Sequence, residues 1–250
     1  MSAILPFIPV LTYHSIDDSG SPVSVAPAEF RRQMQALAAA GWRTISIDAF
    51  LRGHRAGQWP ARTFVLTFDD GYRNLVEQAL PSAHECSFHG TVFVAADRVG
   101  GTMAGSGEPA CPLLDWNGLR ELASAGWSVA SHACSHRHLT SLGADELDRE
   151  LAQSKKTIED HLGAPVAAFA YPYGVVSPDV ERAAGRHYEA AFGTTLAFVT
   201  ASSRATNFER IDAYYLKGRA VEAIDGAFWR GYLALRRAGR AARRRFTASP

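Results

Sequence analysis

Apolar positions in this chain fall into short unbroken blocks, separated by longer stretches in which they recur every third or fourth residue. The strongest block, Phe64-Val65-Leu66-Thr67-Phe68, stops abruptly at Asp69-Asp70-Gly71. A short apolar run rich in β-branched and aromatic residues suits a strand buried on both faces. Blocks at 10–14, 43–47, 90–94, 126–131, 166–173 and 190–194 predict further strands, and 209–211 a last core segment. Helical spacing between them predicts helices over 28–40, from Asp48, over 72–86 with a break at Pro81, and over 116–125, 145–162 and 178–185. The first carries Phe30, Met34, Leu37 and Ala38 on one face and ends at Gly41. The longest carries Leu147, Leu151, Ser154, Ile158 and His161 on or near one stripe. Loops are expected at 15–27, 53–62 and 100–112, the last rich in Gly and Pro and expected at a cleft rim.

Strands that alternate with helices imply an α/β fold with a mostly parallel sheet. No repeat and no shift in composition divides the chain internally. The expected organisation is one barrel-like domain over 1–215, followed by an amphipathic helix and basic tail over 216–250. In that tail Val221, Ile224, Phe228, Tyr232 and Leu235 recur at helical spacing, interleaved with or followed by arginines. Such a helix can dock on the domain with a solvated basic end, or lie against anionic lipid as a weak peripheral contact. The apolar stripe favours docking.

Composition adds mostly exclusions. With 47% hydrophobic and 20% charged residues the chain is ordinary for a soluble globular protein. A net charge of +1 gives no global pull toward nucleic acid. Cys86, Cys111 and Cys134 are too few to suggest a disulfide framework and favour a reducing compartment. The first residues lack a basic stretch before a short, proline-broken apolar run, and no stretch is long and apolar enough to span a bilayer, so a cytoplasmic location is expected.

Candidate chemistry gathers at strand ends. Asp69 and Asp70 stand at the C-terminal end of a buried strand, where α/β folds place ligands. Alone, Asp-Gly there also reads as a simple turn. His132 and His136, four positions apart after another strand, change the balance, with His138 close by. They share a face if that backbone is helical, and a turn could also bring them together. Two imidazoles and one carboxylate suit a divalent metal and leave positions open for water and substrate. Zinc is the first choice on ligand type. Cys134 could be a soft ligand but reads better as buried packing. Asp115, just before a helical run, reads as its N-cap.

These residues resemble a known family. Thr67-Phe68-Asp69-Asp70-Gly71 resembles the first signature of the polysaccharide deacetylases, the NodB-homology or carbohydrate esterase family 4 enzymes. His132-Ala133-Cys134-Ser135-His136 resembles their second, and Phe169-Ala170-Tyr171-Pro172-Tyr173-Gly174 their third. Tyr13-His14-Ser15-Ile16 is similar to the branch that includes poly-N-acetylglucosamine deacetylases. The resemblance implies a deformed (β/α) barrel of about seven strands, an α/β architecture. It implies a hydrolase that removes acetyl groups from an N-acetylated sugar or glycan; the expected cytoplasmic location and the basic tail add a lipid-linked glycan to the expected substrates. It implies a divalent metal on Asp70, His132 and His136, zinc first, with cobalt, nickel or iron as substitutes. Asp69 becomes the general base toward a metal-activated water, and the backbone N–H of Tyr173 a donor to the oxyanion.

Two departures from the pattern call for substitutes. Ala170 stands where the family usually has the arginine that fixes the catalytic Asp, and Arg210 is the expected replacement, paired with Asp69. The late histidine that serves as general acid is missing, and His14 is the expected replacement, with His138 a further option. Two rival readings follow: a hydrolase of another small amide, such as a formamide or ureide, and a glycan-binding module with a degenerate site.

Overall fold

The computed structural model describes residues 4–104 and 110–247, with side chains described to 240. Its centre is a curled sheet of seven parallel strands: β1 (Val10–Tyr13), β3 (Thr63–Phe68), β4 (Thr91–Val94), β5 (Ser128–Ser131), β6 (Ala168–Ala170), β7 (Ala190–Phe192) and β8 (Ile211–Asp212). A two-residue strand, β2 (Arg43–Thr44), adds to the start of β3. The order across the sheet is β7-β6-β5-β4-β3-β1-β8. The segment 208–212 links its two edges: Phe208 bridges Phe192 of β7, and Ile211–Asp212 pairs with Leu11–Thr12 of β1.

Strand periodicity sorts the side chains. Val10, Val65, Phe93, Ala130, Ala168, Phe192 and Phe208 fill the interior, while Leu11, Tyr13, Leu66 and Phe68 face the surrounding helices. Each such large side chain, fully buried, contributes about 1.5–3 kcal/mol of transfer free energy. Farther along the same inward rows the residues turn polar: Thr12 follows Val10, and Thr67 and Asp69 follow Val65. Thr12 and Thr67 hydrogen-bond to each other at 3.1 Å, between the apolar floor and the carboxylate.

The helices are α1 (Pro27–Ala39), α2 (Ile47–Ala56), α3 (Leu80–Glu85), α4 (Trp116–Ser124), α5 (Ala144–Leu162), α6 (Pro178–His187) and α7 (Ala227–Thr247). Asp115 caps α4 by accepting the Gly118 N–H at 2.8 Å. On α5 the stripe Leu147, Leu151, Ser154 and Ile158 is buried as expected, whereas His161 is exposed and stacks on Trp116.

Several expected elements are corrected. The 43–47 strand shrinks to two residues because Ser46 caps α2, accepting the Ala49 N–H, so the helix begins at Ile47. That helix continues to Ala56 and the left-handed Gly57, consuming part of the expected 53–62 loop. Pro81 does not break the 72–86 helix. A π-turn over Leu75–Ala79 runs into α3, and Pro81 sits in its first turn, where a missing N–H costs little. In the 100–112 stretch, Thr102–Met103 pairs with Cys111–Pro112, and residues 105–109 lie outside the described ones.

The C-terminal helix begins at Ala227, later than its apolar spacing suggested. Val221 and Ile224 belong to a separate short turn and its end, so the phase of the stripe resets. Val221, Ile224, Trp229 and Leu233 join the main core, and Phe228 and Leu235 are 67% and 72% exposed. Trp229 Nε1 donates to the Ala220 carbonyl at 3.0 Å, and Trp42 Nε1 donates to that of Glu222 at 2.9 Å. The helix climbs the outer wall from Arg230, over the Phe7 ring, past Arg236, over Tyr215, to Arg240. Among the described residues no helix is long and apolar enough to cross a membrane.

Candidate active site

A cavity of about 420 Å³ opens at the C-terminal ends of the strands. Asp69, Asp70, His132, His136, His14, Tyr173 and Arg210 all line it, so the residues expected to bind metal or take part in the chemistry meet in one place. The ladder holds the first of them rigidly: the Asp69 N–H donates to the Tyr13 carbonyl, and the His132 N–H to that of Val94. Both bonds extend the parallel pairing one step past the strand ends.

Beyond that point the backbone turns sharply. Asp70, Ala133, His136 and Tyr173 are four of the six described non-glycine residues with positive φ. Such a concentration of left-handed backbone is a mark of functional sites. Gly71 follows Asp70 at φ 72°, and a Cβ there would meet Val94 Cγ1 at 2.7 Å, so the turn that aims Asp70 requires glycine. The two histidines converge through a left-handed turn, not along a helix face. Glu150 of α5 clamps that turn, accepting the N–H groups of Cys134 and Ser135 at 2.9 and 3.0 Å and the Ser135 hydroxyl at 2.6 Å.

One ligand atom each from Asp70, His132 and His136 lies within 4.8 Å of the others. Asp70 Oδ1 is 3.5 Å from His132 Nε2 and 3.1 Å from His136 Nε2. His132 Nδ1 is 2.6 Å from the Ala170 carbonyl, an arrangement that places the proton on Nδ1 and leaves the Nε2 lone pair facing Asp70. The donor set and spacing therefore fit a divalent metal. Cys134 and His138 stand outside this cluster. Burial pushes the Cys134 thiol up to about 12, as befits packing, and the exposed His138 ring stacks on Tyr173 at 4.2 Å.

Asp69 is held differently. Arg210 Nη1 and Nη2 donate to its two oxygens, each at 2.7 Å, while Arg210 Nε donates to the Gly193 carbonyl at 2.9 Å. Both side chains are buried. Burial alone would raise the Asp69 pKa, but the guanidinium overrides it and holds the carboxyl far below its ordinary range. For Asp70, too, burial pushes up, and the His136 hydrogen bond with the nearby imidazoles brings the net shift down. Burial lowers the His132 pKa to about 4. His14 Nε2 lies 3.9 Å from Asp69 Oδ2, on the cavity wall.

Some participants escape sequence reasoning. Glu150 sits on α5 beside the buried stripe and reads there as a surface charge. Arg98 and Arg240 also line the cavity, yet one follows a strand by a short turn and the other belongs to a run that reads as tail.

The sequence model of the polysaccharide deacetylases matches residues 56–190. YxkH of Bacillus subtilis (strain 168) is 27% identical over 178 residues, 71% of this chain; the matched part is 60% of YxkH. The poly-beta-1,6-N-acetyl-D-glucosamine N-deacetylase of Staphylococcus epidermidis is 23% identical over 80% of this chain and 71% of its own length. Among solved structures, the Streptococcus pyogenes deacetylase PplD in complex with acetate superposes with a TM-score of 0.75 at 24% identity, covering 82% of this chain and 92% of that one. IcaB from Ammonifex degensii gives 0.75 at 22% identity, covering 88% and 98%. These two likenesses concern the fold, which is the curled parallel barrel described above. The family match runs from the end of α2 through the strands bearing Asp69, Asp70, His132 and His136 to the start of β7, more than half of the chain, which therefore belongs to the polysaccharide deacetylase family.

Proposed function

We propose that this chain is a divalent-metal hydrolase that removes acetyl groups from an N-acetylated sugar or glycan. The observation that carries the reading is one cavity in which the Asp70–His132–His136 set adjoins a buried carboxylate pinned by Arg210. The poly-N-acetylglucosamine deacetylases among its relatives support the substrate class. Asp70, His132 and His136 would hold the metal, zinc first by ligand type and cobalt, nickel or iron as substitutes, which when bound polarises an amide carbonyl and acidifies water.

This chain's own residues supply the rest. Asp69, locked in orientation and ionised across the neutral range, accepts the proton of the attacking water; acidified water demands only modest basicity from it. The Tyr173 N–H, at the cavity wall in a left-handed turn, donates to the oxyanion. His14 gives a proton to the leaving amine, its imidazole being the titratable group beside Asp69 on the open wall. Over 216–250 the exposed Phe228 and Leu235, beside Arg236 and Arg237, also support a weak peripheral contact with anionic lipid, and so access to a lipid-linked glycan.

Metal-reconstituted protein incubated with N-acylated sugars and scored for released acid tests the reading. Acetate from N-acetylglucosamine oligomers, abolished by chelation and restored by metal, is the expected result. Formate released from N-formyl sugars without any acetate would favour the small-amide hydrolase. Bound metal with no acid from any substrate would favour a binding module.

A further inference from the structure

Arg98 and Arg240 line the same cavity as the carboxylates, and neither has a carboxylate partner among the described residues. Arg210 is the contrast, its guanidinium filled by Asp69 and the Gly193 carbonyl. Arg98 is exposed, on the short turn Ala96–Arg98 after β4, and makes one long hydrogen bond of 3.4 Å to the Ser135 carbonyl. Arg240 reaches the cavity from α7, fixed on the barrel wall by Trp229 and Leu233. The other charges on the lining have their own roles: Asp69 is paired with Arg210, Asp70 belongs to the Asp70–His132–His136 set that fits a metal, and Asp212 caps the next turn through the Tyr214 N–H at 2.8 Å. Two guanidinium groups thus face a cleft that a neutral sugar would leave uncompensated.

We propose that Arg98 and Arg240 bind an anionic group, phosphate or carboxylate, carried by the N-acylated sugar. The choice of sugar rests on the deacetylase reading; the anion site itself does not. A guanidinium fork matches either oxyanion in two-pronged geometry, and cations at the mouth of a low-dielectric cleft raise both affinity and encounter rate. Arg98 lies inside the stretch 56–190 matched by the family and Arg240 beyond it on α7, so the site joins the barrel to the C-terminal helix.

Calorimetry on the metal-free full-length chain would compare N-acetylglucosamine, N-acetylglucosamine 1-phosphate and N-acetylmuramic acid at low and high salt. At least one anionic sugar should bind about tenfold tighter than the neutral one, and salt should shrink the preference. Which anion gains more distinguishes phosphate from carboxylate. Arg98→Gln and Arg240→Gln should each reduce the preference and the double variant should abolish it, while Arg240→Lys restores part. Thermal melts matching the parent protein show that the variants fold. Equal affinities for all three sugars, or a preference untouched in the folded double variant, overturns the proposal. An anion preference in a protein that releases no acid from any N-acylated sugar would uphold this site and sink the deacetylase reading instead.

Discussion

Arg210 and Asp69 lie 141 residues apart and meet through two parallel hydrogen bonds of 2.7 Å, with both side chains buried. Position 170 holds alanine, 0% exposed in the barrel interior, and the guanidinium comes instead from the segment that joins the two sheet edges. Its plane also lies over the Phe93 ring at 5.8 Å. Orientation of the Asp69 carboxylate is thus set from the closing segment and not from β6.

Arg210→Gln removes the full charge paired with the buried Asp69 carboxylate, and such losses cost about 3–5 kcal/mol. Burial, the largest influence on Asp69, then acts with far less opposition, so its pKa rises. The acid limb of the rate profile should move to higher pH as kcat falls. Arg210→Lys keeps charge but not the fork, and should recover stability more than rate. An unmoved acid limb with unchanged kcat would show that Arg210 does not govern Asp69.

His14→Gln should lower kcat by about 10²-fold, the ordinary scale for a general acid, with bound metal and melting temperature retained. Unchanged turnover would take His14 out of the chemistry and leave the stacked His138 as the next imidazole to test.

The metal-free protein should gain stability as pH rises from about 4 to 6.5, because folded His132 is neutral in that window while the unfolded residue is protonated. Below that window both states carry the proton and this residue adds no further slope. The Asp69 contribution is lost only at still lower pH, since its carboxyl is depressed below the ordinary 3.8. Melting curves of metal-free protein, with His132→Gln as comparison, check the sign; an equal slope in the variant would contradict it.

Trp229→Ala should cost about 3–5 kcal/mol, as a large aromatic lost from a packed core, whereas Phe228→Ser and Leu235→Ser should stay within about 0.5 kcal/mol. Denaturant titration measures all three. The reverse ranking would mean that the helix docks through its other face.

Strand blocks and a mostly parallel sheet are legible in the sequence because local periodicity encodes them, and the convergence of Asp69, Asp70, His132 and His136 is legible through strand-end chemistry together with the family resemblance. The Asp69–Arg210 contact is legible only through a missing residue at 170, which demands a substitute. Glu150 is not legible, since its partners are backbone N–H groups that any sequence could offer. Helix phase in the tail is misread for a similar reason: spacing across 221–235 looks continuous, and only the turn at Val221–Ala223 interrupts it. The family match likewise ends before Arg210 and Arg240, so both depend on tertiary closure for their meaning.

The segment 208–212 that joins the sheet edges has a temporal consequence. During synthesis Asp69 leaves the ribosome 141 residues ahead of Arg210, on the order of ten seconds at ordinary elongation rates. Through that interval the nascent chain can collapse its early strands, yet the carboxylate has no counter-charge and the cleft no rear wall. Arrival of the last strand settles both at once, so the site matures by closure.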